Sequence, residues 1–256
     1  MRACLLSQLR RYTHDQRVEI AHQISDRVLA KYGKDVLAVY IYGSTSKKLD
    51  RPYSDLEMNV IVGDGVEIPM KSYLFNGLVV NIEYLQSSRF LNSAEQFTKD
   101  WHWEADSYRN RIVIYERDHW FDKLDRAIEK SERGDPTEAI RKSFMMMTES
   151  MAVLKNDLLT KDKNGILIRG RTLAEDAARI VLLLNRKYVT TTSWFWKITF
   201  DASKKPKDFE KLVEKMSGFV PTTEREIAAA SERLYKEIHD LIANYVSGIE
   251  HHDLWV

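Results

Sequence analysis

Apolar residues recur at three- and four-residue steps through Val18, Ile20, Ala21, Ile24, Val28 and Leu29, and Thr13 with Gln16 precedes them while Gly33 follows. A capping-box start and a glycine stop predict one amphipathic helix. The period then shortens. Residues 36–42 and 56–62 are β-branched and aromatic runs that predict strands, joined by a polar loop over 43–53, and Gly63-Asp64-Gly65 ends the second. Asn76-Gly77 lies between the runs 69–75 and 78–85, the signature of a two-residue hairpin, so strands three and four pair antiparallel. A helix over about 87–101 and a strand over 111–115 complete a mixed sheet.

Beyond Trp120 the strand period vanishes, and helical patterns run over 120–133, 136–159, 171–188 and 222–247. The second half therefore reads as an all-α helical bundle. Pro136 suits a first helical turn, and Gly134-Asp135 before it marks the joint between domains over 1–134 and 135–256. The fold class expected is α+β, a mixed-sheet domain followed by helices. A chain of 256 residues suffices for two such cores.

Composition narrows the partners. Lys plus Arg number 39 against 38 for Asp plus Glu, so no global field favours nucleic acid or an anionic membrane. The single cysteine, Cys4, excludes a disulfide framework within the chain and fits a reducing compartment. No stretch offers the roughly 20 apolar residues that span a bilayer, and MRACLLSQLRR lacks a signal peptide's sustained apolar core and cleavage site. The expectation is a cytoplasmic, soluble protein. His251-His252 has no partner spacing that would make a metal site.

The chemistry concentrates in YGSTSKKLDRPYSDLEM, residues 42–58. Asp55 and Glu57 stand two apart at the start of an apolar strand, which puts both carboxylates on one face, roughly 7 Å apart or less. Such a pair repels unless a divalent cation neutralises it, and Mg²⁺ takes one or two protein carboxylates together with substrate phosphates. Gly43-Ser44, at the end of the preceding strand, lets backbone amides and a hydroxyl approach a phosphate, and Lys47 and Lys48 balance its charge.

Gly43-Ser44, a ten-residue spacer and Asp55-Leu56-Glu57-Met58 together resemble the hG[GS]…Dh[DE]h signature of the DNA polymerase β-like nucleotidyltransferase superfamily. Within it, residues 15–120 resemble the kanamycin nucleotidyltransferase family, the aminoglycoside 4′-O-adenylyltransferases. The resemblance implies a nucleotidyltransferase-fold domain over 1–134 that binds Mg²⁺ through Asp55 and Glu57 and ATP phosphates through Gly43, Ser44 and Lys47. It implies transfer of AMP to the 4′-hydroxyl of an aminoglycoside such as kanamycin, and a homodimer with its site at the interface.

A third carboxylate is expected on the fourth strand: ungapped alignment sets Asn81 at the family's acidic position, and Glu83 is the nearby substitute. The helix over 136–159 has a core stripe of Ile140, Phe144, Met147, Met151, Leu154 and Leu158, with the Met145–Met147 run read as core. Glu149, nearly opposite that stripe, keeps the apolar neighbours Met145, Met146, Ala152 and Val153, so this second face is expected to meet a cleft or another subunit, and burial there would raise the Glu149 pKa. The resemblance implies that Glu149 takes the proton from the acceptor hydroxyl.

Two departures accompany this. Val153 stands where the family has a phosphate-binding lysine, which leaves Lys155 or another cation to that task, and Lys47 replaces an arginine. In KDWHWEADSYRNR, residues 99–111, Glu104 and Asp106 with Trp101 and Trp103 either line a site for a polycationic sugar or accompany tryptophans that close the core. SWFWKITF, residues 193–200, reads as packing or a dimer contact. The alternatives to the aminoglycoside reading are a protein or RNA acceptor, or a nucleotide-binding protein of this fold without turnover.

Overall fold

The computed structural model describes residues 9–249. Cys4, most of the amino-terminal stretch read for a leader, and His251-His252 lie outside them. The chain divides into two compact units, one of the residues up to Gln96 with Glu104–Gly134, the other of Phe97–Trp103 with the residues from Asp135 on.

In the first unit, helix α1 (His14–Tyr32) starts at Thr13, whose hydroxyl accepts from the Gln16 amide while the Gln16 side chain accepts from the Thr13 amide, and it stops at Gly33, φ 50°. Five strands follow: β1 (Val36–Ile41), β2 (Leu56–Val62), β3 (Lys71–Phe75), β4 (Leu78–Gln86) and β5 (Ile112–Glu116). Their order across the sheet is β3-β4-β2-β1-β5. Only β2 and β4 run parallel; the other pairs are antiparallel. Asn76 and Gly77 both have positive φ, 50° and 86°, the backbone of a type I′ turn.

The pleat sorts β2 into two faces. Leu56, Met58, Val60 and Val62 pack with Ile20, Ala21 and Val28 of α1. Ile61 points the other way, with Ala38 and Tyr40 of β1, into a cluster with Phe90 of α3 (Ser87–Ala94) and with Trp120, Phe121 and Leu124 of α5 (Trp120–Arg133). Asp55, Glu57 and Asn59 share this second face. The carboxylates therefore stand at the strand's amino-terminal end, outside the apolar cluster.

Two local departures from the sequence reading occur here. Residues 43–46 form a single helical turn, α2 (Gly43–Ser46), where loop was expected. The helix expected over 87–101 ends at Ala94, and a further helix, α4 (Trp101–Arg109), begins where it was expected to stop. Between them the Thr98 hydroxyl accepts from the Asp100 amide at 3.2 Å, a local bond that competes with helix.

The second unit holds α6 (Thr137–Thr160), α7 (Lys163–Leu184), α8 (Phe195–Phe200), α9 (Phe209–Met216) and α10 (Glu224–Ile242). Ile140, Phe144, Met147, Met151 and Leu154 are buried along α6, and Leu158 is half-buried. The Met145–Met147 run does not enter the core together: Met147 is fully buried, Met145 is 37% exposed. Three consecutive residues span too wide an arc of a helix to share one face. Helix α7 begins eight residues before the expected start because Asp162 caps it, accepting from the Gly165 amide. At Gly170 an added Cβ would lie 2.5 Å from the Ile227 side chain, so glycine permits close approach of α7 and α10. Helices α8 and α9 span too few turns to show a period. The SWFWKITF segment packs: Trp103 stacks on Phe195 at 5.2 Å, and Trp196 on Phe200 at 5.8 Å. Among the described residues no helix is long and apolar enough to cross a membrane.

Candidate active site

The loop into Asp55 is organised by a residue that the sequence reading passed over. Arg17 of α1 is fully buried. Its Nε donates to the Ser54 carbonyl at 3.0 Å; Nη1 donates to the Tyr12 carbonyl at 3.1 Å and to Asp50 Oδ2 at 2.9 Å; Nη2 donates to the carbonyls of Arg51 at 2.7 Å and Pro52 at 3.1 Å. The guanidinium's donors are thus all engaged. His14 Nδ1 lies 3.0 Å from the other Asp50 oxygen. A signal was present: Arg17 sits on the helical stripe of Ala21, Ile24 and Val28, where a solvated arginine does not belong.

Gly43 has φ 71°, and a Cβ built there would lie 1.8 Å from Glu57 Oε2. No side chain fits, so the glycine is the space into which Glu57 turns. The Tyr42 amide donates to the Glu57 carbonyl at 3.1 Å, tying the end of β1 to the start of β2. Ser44, half-buried, lies on the α2 turn, and its carbonyl accepts from the Leu49 amide at 3.0 Å.

The parallel register sets Asn81 of β4 opposite Glu57, and Glu83 opposite Asn59. Asn81 Nδ2 donates to Asp55 Oδ2 at 3.2 Å, while its own oxygen accepts from the Ser72 hydroxyl at 2.6 Å. Glu83 accepts from the Tyr42 hydroxyl at 3.3 Å. Asn81 is therefore bonded to the acidic pair, while Glu83 acts on Glu57 through its charge. Among the described residues no three His, Cys, Asp or Glu side chains gather as a metal-binding group.

Lys47 Nζ donates to the Gly43 carbonyl and to Asp106 Oδ2. Asp106 is buried on α4, and its second oxygen accepts from Asn110 Nδ2 at 2.8 Å. Its carboxylate, expected to face a sugar, is thus engaged by Lys47 in this state. Burial raises the Asp106 carboxyl above its usual value, with Lys47 opposing that rise. Glu104 is half-buried and lines a separate cavity on the same unit. Trp101 is buried and stacks on Phe97 at 4.5 Å, whereas Trp103 is 40% exposed.

On the second unit, Glu149 of α6 is exposed, as are Met145, Ala152 and Lys155, while Met146 and Val153 are half-buried. Among the described residues of one chain, therefore, Glu149 is not buried. Helical geometry turns it away from the stripe that packs on α7. The next residue, Ser150, donates to Asp176 Oδ2 at 2.9 Å, and Arg179 Nη1 lies 3.3 Å from the other oxygen of Asp176.

Comparison with known proteins adds the family. Residues 118–246 match the KNTase C-terminal domain, half of the chain. The chain belongs to the aminoglycoside and Pol β-like nucleotidyltransferase superfamily. Two relatives named aminoglycoside nucleotidyltransferase (4′), from Staphylococcus aureus and from a Bacillus species, are each 29% identical over 112 residues, 44% of this chain and 44% of theirs. The match thus spans under half the length of these relatives. A solved nucleotidyltransferase-like protein from Exiguobacterium sibiricum 255-15 shares the fold, with a TM-score of 0.55 at 16% identity, over 87% of this chain and 78% of that one.

In this nucleotidyltransferase-superfamily chain the acidic pair suits a hard divalent cation. Burial first, then the charge of Asp55, pushes Glu57 up to about 7, with Lys47 opposing. Lys47 thus offsets only part of the burial and of the Asp55 charge on Glu57, and carboxylate oxygens are the donors Mg²⁺ takes. The pH dependence follows. A cation bound at this pair would have to displace the Glu57 proton, so Mg²⁺ affinity is expected to rise about tenfold per pH unit below about 7 and to level off above it. Stability without cation runs oppositely: the folded pKa is raised above the ordinary 4.5, so stability is greatest below that value and declines by ~3 kcal/mol or less as pH rises to about 7. Titration calorimetry with Mg²⁺ between pH 5.5 and 8.5 checks the first statement; an affinity flat across that range contradicts it.

Proposed function

We propose that this chain transfers the AMP moiety of Mg-ATP to a hydroxyl of an aminoglycoside at the 4′ position and releases pyrophosphate. The observation that carries the reading is the joint placement of Asp55 and Glu57 against the side-chain-free turn at Gly43, with Lys47 at its edge. The relatives named for 4′ aminoglycosides support the acceptor and its position.

In this reading Asp55 and Glu57 hold Mg²⁺, which when bound offsets charge on the phosphates. Gly43 and Ser44 receive the phosphate oxygens. Lys47 exchanges its partners, Asp106 and the Gly43 carbonyl, for the nucleotide, and as a point charge it makes no bidentate fork. The acceptor oxygen attacks the α-phosphorus, its proton passes to Glu149, and the bond from the α-phosphorus to the bridging oxygen breaks to release pyrophosphate. The glutamate's exposed apolar surroundings, Met145 and Ala152, support a homodimer in which a second copy covers that face. The cytoplasm, where ATP is held, is the compartment this reaction requires.

Pyrophosphate release from Mg-ATP, measured with aminoglycosides that have or lack a free 4′-hydroxyl, tests reaction, acceptor and position together. Release only with the 4′-hydroxyl compounds is expected. Release independent of the aminoglycoside overturns the acceptor, and a protein that binds Mg-ATP but releases nothing with any of them overturns the aminoglycoside reading and turns the search to a protein, RNA or regulatory partner. Glu149→Gln should lower kcat by about 10²- to 10⁴-fold while ATP binding holds, the size of a lost general base. A kcat within threefold of the parent moves that role to another residue.

A further inference from the structure

On the sheet face opposite the acidic pair, and wholly within the first unit, the sheet ends at an open edge. Strand β3 is outermost. Its ladder with β4 starts beside the turn with Phe75 opposite Leu78, and the alternation of an antiparallel pair then turns the amides and carbonyls of Ser72 and Leu74 outward. Among the described residues no strand, loop or side chain pairs with that edge. Tyr73 and Leu74 are exposed on it. Such an edge is a template for a further strand unless something blunts it.

The groove between α1 and β3 runs along this edge and holds two hollows, of about 180 and 80 Å³. Arg27, Lys31, Lys71 and Tyr73 line the larger, and Ile20, Ile24, Tyr73 and Phe75 the smaller, with Arg27 on both. No carboxylate lines either. Among the described residues none of Arg27, Lys31 and Lys71 is in an ion pair. The Lys31 ammonium lies 4.9 Å from the centre of the Tyr32 ring and that of Lys71 lies 5.6 Å from the centre of the Tyr84 ring. Arg27 stands near enough to Tyr73 to oppose the rise that burial gives its hydroxyl. Three cations thus flank one open strand edge without a counter-charge.

We propose that the groove between α1 and β3 docks an extended acidic peptide segment of a partner protein, which pairs with β3 as a sixth strand. Ser72 and Leu74 supply the ladder bonds, and alternate side chains of the peptide turn toward α1. Its carboxylates meet Arg27, Lys31 and Lys71, and an apolar side chain further along meets Ile24 and Phe75. Other occupants match less of what is there. Both hollows fall below the ~300–1,000 Å³ of small-ligand pockets. Pairing of β3 with its own copy about a two-fold axis sets two groups of three cations along one seam, and like charges across an interface oppose it. Nucleic-acid bases stack on open ring faces, whereas Tyr32 and Tyr84 meet edge-on at 5.8 Å and each has a lysine over it.

The test uses the full chain without nucleotide, so its result is independent of the transfer reaction. The probes are the end-blocked peptide TETETVT and its reverse, to cover both directions of pairing, each beside a counterpart with glutamine in place of glutamate. Binding is followed by NMR through the protein's amide signals. The better acidic peptide should bind at least about tenfold more tightly than its glutamine counterpart at low salt, since charge-assisted bonds exceed neutral ones, and should shift the Ser72 and Leu74 amides. Most of that preference should vanish at about 1 M salt, where charges are screened within about 3 Å. Of two acidic peptides N-methylated on alternate residues, one should keep the affinity and the other lose it about tenfold, because only one set of amides faces the strand. The double variant Arg27→Gln, Lys31→Gln, at exposed positions, should bring acidic and glutamine peptides within about threefold. Equal binding of the two peptides to the parent protein, shifts confined to residues away from β3, or equal tolerance of both methylation patterns overturns the proposal. Tighter binding of single-stranded poly-U at this edge, or self-association that itself shifts the Ser72 and Leu74 amides, also overturns it and gives the face to nucleic acid or to a second copy.

Discussion

Asp55→Asn is expected to yield a folded protein whose Mg-ATP turnover is at least about a thousandfold below the parent's. The substitution is nearly isosteric, and the oxygen that accepts from Asn81 at 3.2 Å has an equivalent in the new amide. What changes is charge. In the proposed reaction a cation held by two carboxylates would be left with one, and several kcal/mol of phosphate charge stabilisation would go with it, at about 1.4 kcal/mol per tenfold in rate. The fold should respond in the opposite sense. Asp55 is the largest charge raising the Glu57 pKa after burial, so its removal relieves a repulsion and the Glu57 pKa drops. The thermal midpoint should hold or rise, and Mg²⁺-dependent nucleotide binding should be lost. Turnover near the parent's, in protein of unchanged stability, removes the pair from the reaction.

Arg17→Met is expected to have the largest effect on stability. The methionine fills much of the volume but leaves buried Asp50 with His14 alone, and removes the donors from the carbonyls of Tyr12, Arg51, Pro52 and Ser54. Breaking a buried charge pair by deleting one partner costs about 3–5 kcal/mol, which lowers the thermal midpoint by roughly 10 °C. Arg17→Lys should recover only part of the loss, because one ammonium has three donors and no planar fork. A midpoint within 2 °C of the parent for Arg17→Met contradicts this account. Mg²⁺ binding should weaken in both variants, since Ser54 adjoins Asp55.

The sequence displayed what is local and hid what is distant. The Thr13 capping box, the Asn76-Gly77 turn and the apolar run from Leu56 are each written within a few residues, and the structure has them in place. The mixed-sheet unit followed by helices follows from the same signals. The parallel pairing of β2 with β4 is of a different kind, because nothing within either strand fixes it. That register decides whether Asn81 or Glu83 adjoins Glu57. Lys47 meets Asp106 across 59 positions, so the aspartate looked available for a sugar when its partner was on the α2 turn. Arg17 reaches carbonyls 34 to 37 residues away. Glu149 is exposed in the single chain, and its apolar neighbours in sequence say only that some surface covers it, not whether that surface is in this chain or in a second copy.

The reach of Arg17 also fixes how far the chain can be trimmed. A fragment beginning after α1 retains all five strands, Gly43 and both acidic residues, and by composition it looks like a complete site. It lacks the guanidinium that ties Asp50 to the run of carbonyls ahead of Asp55, so the segment 50–54 loses its common anchor. The shortest piece able to present the two carboxylates as they stand here must begin no later than Tyr12, whose carbonyl is itself one of the arginine's acceptors.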